Sequence, residues 1–140
     1  MVKEWFEVSV KYLKNEEEKE VTNVNEVFLF DAVSWIDAET KANEEFERFA
    51  KSGFTIKKIV KKKLTDVLAF EEGEFWFECG VEMVVLNEGD TKEKKTKLNY
   101  LVMADDIIQA NYRVFESLED SVSDFKVVSL SESNIYEVFP

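Results

Sequence analysis

Carboxylates are the most abundant groups in this chain that could do chemistry, and three sets stand side by side: Glu16-Glu17-Glu18, Glu71-Glu72 and Asp105-Asp106. Adjacent acids of this kind can gather oxygens around Mg²⁺ or Ca²⁺. None falls in an EF-hand pattern or another loop that converges several oxygens on one ion. A solvated hairpin tip, a short link and a helix cap account for them, so neither a metal nor any other cofactor is expected. Histidine is absent and Cys79 is the only cysteine. That removes His-based triads, a Cys/His nucleophile pair, the usual zinc clusters and an intramolecular disulfide. No phosphate-cradling glycine loop, nucleophile elbow or kinase signature occurs. Acid–base catalysis by carboxylates, Lys and Tyr stays chemically open, but no spacing points to it, and we expect a non-enzymatic protein.

Two other groups are candidates for binding rather than catalysis. Lys57, Lys58, Lys61, Lys62 and Lys63 crowd five positive charges into seven positions. They suit three roles: contact with phosphates beside stacking aromatics, contact with the acidic half of a second copy, or protection of an exposed edge strand. Trp5 and Trp76 begin matching Trp-Phe-Glu triplets. They are read either as aromatic platforms for a ligand, a partner or an unstacked base, or as side chains buried where two sheets meet.

Charge and composition narrow the class. The 140 residues carry 18 basic and 30 acidic groups, a net charge of -12, which argues against a general duplex-DNA binder. Residues 1–70 hold 12 basic and 14 acidic groups, whereas residues 71–140 hold 6 and 16. With 45% hydrophobic residues, four Gly and one Pro, the chain can bury one substantial core. No apolar run exceeds the five residues Tyr100 to Ala104, and no signal-peptide core follows Met1. A soluble cytoplasmic protein with no membrane partner is the expectation.

The elements that must position these residues come from an internal repeat with a period of 71 to 72 residues. Phe6, Val8, Val10 and Tyr12 alternate as Phe77, Cys79, Val81 and Met83 do, predicting a half-buried strand in each half. Phe28-Leu29-Phe30 matches Tyr100-Leu101-Val102 as the second strand of a hairpin, after the polar stretches Lys14 to Glu20 and Asn87 to Lys97. The apolar period then switches to 3.6. Trp35, Ala38, Ala42, Phe46 and Phe49 form one helical stripe, and Ile107, Ala110, Val114 and Leu118 the other. Ser34 and Asp105 or Asp106 are placed as N-caps, and Gly53, after Lys51, as a helix stop. Phe54 to Ile56 with Thr65 to Leu68, matched by Phe125 to Val127 with Tyr136 to Phe139, supply the third-strand region.

The predicted fold is therefore α+β: two pseudo-symmetric ββαβ units packed as one compact body with mainly antiparallel sheet. Residues 1–140 form a single domain, with repeat 1 at 4–68, a link at 69–74 and repeat 2 at 75–139. A right-handed crossover places the third strand beside the first, giving the order 2-1-3. Alternation turns Trp5 and Trp76 away from the helix-covered face, while Cys79, in the place of Val8, reads as a buried small hydrophobe. A residue type that the fold demands should recur in both halves, and the lysine cluster does not.

The chain also resembles a family of short proteins, a domain of unknown function found in Bacteroides-type bacteria and their phages. The likeness rests on Trp5-Phe6-Glu7-Val8, Val21-Thr22, Phe30-Asp31-Ala32-Val33-Ser34-Trp35, Asp37-Ala38-Glu39, Trp76-Phe77 with Cys79, Ala104-Asp105-Asp106 and Val138-Phe139-Pro140. It implies a bacterial or phage cytoplasmic setting and carries no catalytic or binding residue. The functional expectation is an interaction protein, self-associating through its unequally charged halves or binding another protein. The alternative is a single-stranded nucleic-acid accessory protein using Lys57 to Lys63 and exposed Trp5 and Trp76.

Overall fold

Alternating side chains buried on one face build long strands, and the shift to a 3.6 period builds the helices between them. The computed structural model describes residues 4–15, 21–50, 53–85, 89, 94–121 and 124–140. Glu16, Glu17 and Glu18, Lys51, the side chain of Phe49 and most of the second hairpin tip lie outside the described residues. The chain runs β1 (Glu4–Asn15), β2 (Val21–Ala32), α1 (Trp35–Phe49), β3 (Phe54–Lys62), β4 (Asp66–Leu68), β5 (Phe75–Val85), β6 (Lys94–Ala104), α2 (Ile107–Ser117), β7 (Asp124–Glu132) and β8 (Ile135–Phe139). The α+β class with mainly antiparallel sheets is as the sequence predicts.

The chain divides into two compact units. One comprises Met1–Lys63 with Asn134–Pro140, the other Leu64–Ser133. In the first, the sheet order is β3-β1-β2-β8. β1 is central and antiparallel to both β2 and β3, which is the predicted 2-1-3 order. α1 covers one face, where Ala42 and Phe46 meet Val8, Val10, Phe28 and Phe30. Phe46 is fully buried, edge-on to Phe28 at 4.8 Å, and burying a ring of this size contributes about 2–3 kcal/mol. In the second unit the order is β4-β6-β5-β7. There α2 sets Ala110, Val114 and Leu118 on Phe77, Cys79, Val81 and Val102.

The helix ends follow the sequence chemistry. Ser34 Oγ accepts the Asp37 N–H at 3.1 Å, and the Asp37 carboxylate accepts the Val33 N–H at 3.0 Å. Asp106 accepts the Gln109 N–H at 2.7 Å while the Gln109 side-chain oxygen accepts that of Asp105, also at 2.7 Å. Both helices thus begin with the same reciprocal satisfaction of free N–H groups. After α1, Gly53 takes φ +111°, the left-handed region that only glycine enters without strain. Trp35 departs from the predicted stripe. As the first helical residue it is 49% exposed, with its ring edge-on to Phe6 at 5.1 Å.

Two features correct the simple repeat. The short strands are not kept within their own repeats. β8, from the second repeat, pairs in parallel with β2, while β4, from the first, pairs in parallel with β6. Each covers an edge that a three-stranded sheet would leave with unpaired N–H and C=O groups. The other feature is a bulge in each outer strand. The β1–β3 register slips between Ser9 and Val10, leaving Lys57 without an opposite residue. The β5–β7 register slips at the equivalent place, leaving Val128. Two bulges 71 residues apart set the apolar spacing to three, so that Ile56 and Ile59 both reach the core of their unit, as Val127 and Leu130 do in theirs.

Candidate functional site

The lysine cluster sits on β3, an outer strand of its sheet. Lys61 pairs with Glu4 at 2.8 Å and Lys62 with Glu7 at 3.3 Å, so β1 supplies the countercharges. Lys57, Lys58 and Lys63 are exposed, and no ion pair is recorded for them among the described residues. Trp5 lies directly opposite Lys62, and Ser9 opposite Lys58, so Trp5, Lys58 and Lys62 share the helix-free face. Lys61 stands opposite Phe6, on the helix side. Of the seven residues singled out by sequence, the sheet thus gathers three on one face, with Lys57 in the bulge and Lys63 beyond the strand end.

Trp76 requires a correction. It is 6% exposed, and Leu101, on the same helix-free face, is fully buried. Its ring is closed to a stacking ligand, in keeping with the buried one of the two readings of this pair, and Trp76 leaves the candidate binding surface, while Trp5 is half-buried. Identical Trp-Phe-Glu triplets give the same local strand but not the same exposure, because burial depends on what lies over the strand.

Asp105 and Asp106 are used structurally, whereas Glu71 and Glu72 are exposed and Glu72 takes part through its backbone carbonyl. Asp106 caps α2, and Asp105 accepts the Glu74 N–H at 3.1 Å. Arg113 fastens the link residues by donating to Glu72 O at 2.8 Å and to Met103 O at 2.5 Å, with its guanidinium 4.2 Å over the Phe70 ring. Among the described residues no group of three or more His, Cys, Asp or Glu side chains is placed to hold a metal ion. No helix among them is long and apolar enough to cross a membrane.

What the sequence pattern missed is the outer surface of the helices. Ile36 is 79% exposed and its repeat equivalent Ile108 is 78% exposed. Beside them, Trp35 and Ile107 are each about half exposed. On α2 the exposed stripe continues through Tyr112 and Phe115, at 64% and 45%. The available signal was that Ile36, Ile108, Tyr112 and Phe115 fall off the buried stripe of each amphipathic helix; Ile107, placed on that stripe by its spacing, is at the start of α2 and half exposed, as Trp35 is on α1.

A family model matches residues 4–140. The chain belongs to DUF4494, a domain of unknown function. No curated protein and no solved structure matches it. The DUF4494 match runs from the first residue of β1 to beyond β8, so it covers both units.

The titratable groups of this DUF4494 domain with displaced proton affinity lie mostly inside its sheets. Burial pushes the Cys79 thiol up, which keeps it protonated and a poor nucleophile. Desolvation raises Tyr12, reinforced by the hydrogen bond its hydroxyl donates to Glu26 at 2.8 Å. Partial desolvation raises Glu137 on β8, and the nearby charges of Glu45 and Glu26 add to it. None of these forms a nucleophile–base pair; they describe a packed scaffold.

Proposed function

We propose that this DUF4494 protein is a non-enzymatic interaction module that associates with further copies of itself inside a bacterial or phage-infected cell. The observation that carries the reading is the matched exposure of Ile36 and Ile108. A large apolar residue that the fold demands recurs because it is buried. These recur while exposed, each beside a half-exposed Trp35 or Ile107, and such adjoining apolar groups are what contact with another molecule would cover. A second copy offers the same two points, and closed twofold assemblies are the commonest way to bury such patches. The uneven charge favours the same partner, since exposed Lys57, Lys58 and Lys63 on one copy are complementary to the acidic residues 71–140 of another.

Light scattering across ionic strength tests this. Larger species at low salt that shrink as salt screens the contact are expected, and Ile36→Asn with Ile108→Asn is expected to leave monomer throughout. A parent protein that is monomeric at every ionic strength would end the reading.

A second reading, a single-stranded nucleic-acid accessory protein, draws support from the placement of Trp5 opposite Lys62 with Lys58 on the same face. The pairing of Lys62 with Glu7 and the burial of Trp76 weigh against it.

A further inference from the structure

The exposed stripe on α2 has no counterpart on α1. With the 72-residue offset, Tyr112 and Phe115 correspond to Thr40 and Asn43, whereas Glu116 and Glu119 correspond to Glu44 and Glu47. The acidic positions therefore belong to the repeat, and the aromatic ones distinguish the second unit. Ile108, Tyr112 and Phe115 follow the i, i+4, i+7 spacing of a helix-packing seam, all of it exposed. Phe115 lies 5.2 Å from Phe125 of β7. Tyr112, Phe115, Glu116, Glu119 and Phe125 line an open groove of about 590 Å³, three aromatic rings and two carboxylates.

We propose that this groove docks a cationic amphipathic helix of a different protein. The inference rests on the reading of the chain as an interaction module and adds a groove that Ile108 does not line, with its own occupant. The aromatic lining takes an apolar anchor from the partner, and Glu116 and Glu119 select Lys or Arg flanking that anchor. A second copy of this chain does not supply such a helix from its described residues. Its helical cations are Lys41, Arg48 and Arg113. Lys41 is engaged by Asp37 and the Asp31 carbonyl, Arg48 by Glu45, and Arg113 by the carbonyls of Glu72 and Met103. Its densest lysines lie on β3, hydrogen-bonded into a sheet.

The test uses a fluorescein-labelled leucine–lysine amphipathic peptide, about 18 residues long so that it sustains a helix, titrated with the full-length protein and followed by anisotropy. Saturable binding is expected. Tyr112→Thr with Phe115→Asn, which installs the first unit's residues without changing charge, is expected to weaken it at least about tenfold. Glu116→Gln with Glu119→Gln is expected to weaken it at low salt and flatten its salt dependence, so the proposal stays decidable if the aromatic variant does not fold. No binding by the parent, equal affinity in the aromatic variant, or equal affinity for a leucine–glutamate peptide would each overturn it. Light scattering on the same samples separates the two surfaces: lost self-association with intact peptide binding sinks only the earlier reading, and the converse sinks only this one.

Discussion

The Phe139 ring stacks on Phe30 with centroids 4.8 Å apart and planes 19° from parallel. Phe139 also lies 5.9 Å from Phe28, and its strand neighbour Tyr136 meets Phe28 edge-on at 5.7 Å. The last strand of the chain is thus held to β2 by aromatic contacts on top of its parallel backbone bonds. A five-residue strand added at a sheet edge gains little from backbone pairing alone, so these rings secure it.

Phe139→Ala is accordingly expected to lower the unfolding free energy by roughly 2–3 kcal/mol, below the range for a fully buried Phe because Phe139 is only partly covered. Urea unfolding gives the number. A loss of a few tenths would mean that β8 is held by its backbone bonds and not by its rings.

Glu137, on the same strand, makes that attachment pH-dependent. Its raised proton affinity means that the folded state holds the proton more tightly than the unfolded chain does. Its stabilising contribution is therefore complete below the ordinary glutamate value and drains away as pH climbs through the raised one. Glu137→Gln is expected to melt higher than the parent at neutral pH, with the gap closing as pH falls toward about 4. Thermal melts across that range check it, and parallel curves for the two proteins would contradict it.

The helix caps offer a comparison within one molecule. Ser34→Ala and Asp106→Ala each remove the acceptor of one first-turn N–H, and each is expected to cost about 1 kcal/mol in chemical denaturation. Because Asp106 is charged and sits at the positive end of α2, its loss is expected to be the more salt-sensitive of the two.

A single-stranded oligonucleotide titrated into the protein at low salt is expected to leave tryptophan emission unchanged. Trp76 is buried, Lys61 and Lys62 are paired, and the net charge of -12 repels phosphates. Quenching that disappears in Trp5→Phe would instead favour the nucleic-acid reading.

Much of the architecture was legible because it rests on local patterns. The period-two alternation from Phe6 to Tyr12, the change of period at Trp35 and Ile107, and the capping residues Ser34 and Asp106 each report a backbone preference that neighbouring residues satisfy. The repeat then supplied the strand order, since one crossover rule applies to both copies. The bulges were harder to see. Lys57 and Val128 interrupt the alternation by a single residue, and in the sequence this resembles the end of a strand rather than a step within it.

The sequence by itself determined two hairpin–helix–strand segments, which faces of them are apolar, and an unequal division of charge between them. Only the tertiary structure decided that β4 and β8 leave their own repeats, because three to five residues carry no signal for a partner distant along the chain and an open sheet edge accepts any strand of suitable register. It likewise decided that Trp76 is covered while Trp5 is half open, and that Ile36, Ile108, Tyr112 and Phe115 face solvent. Periodicity records which side of an element a residue occupies, whereas exposure is set by whatever packs against that side.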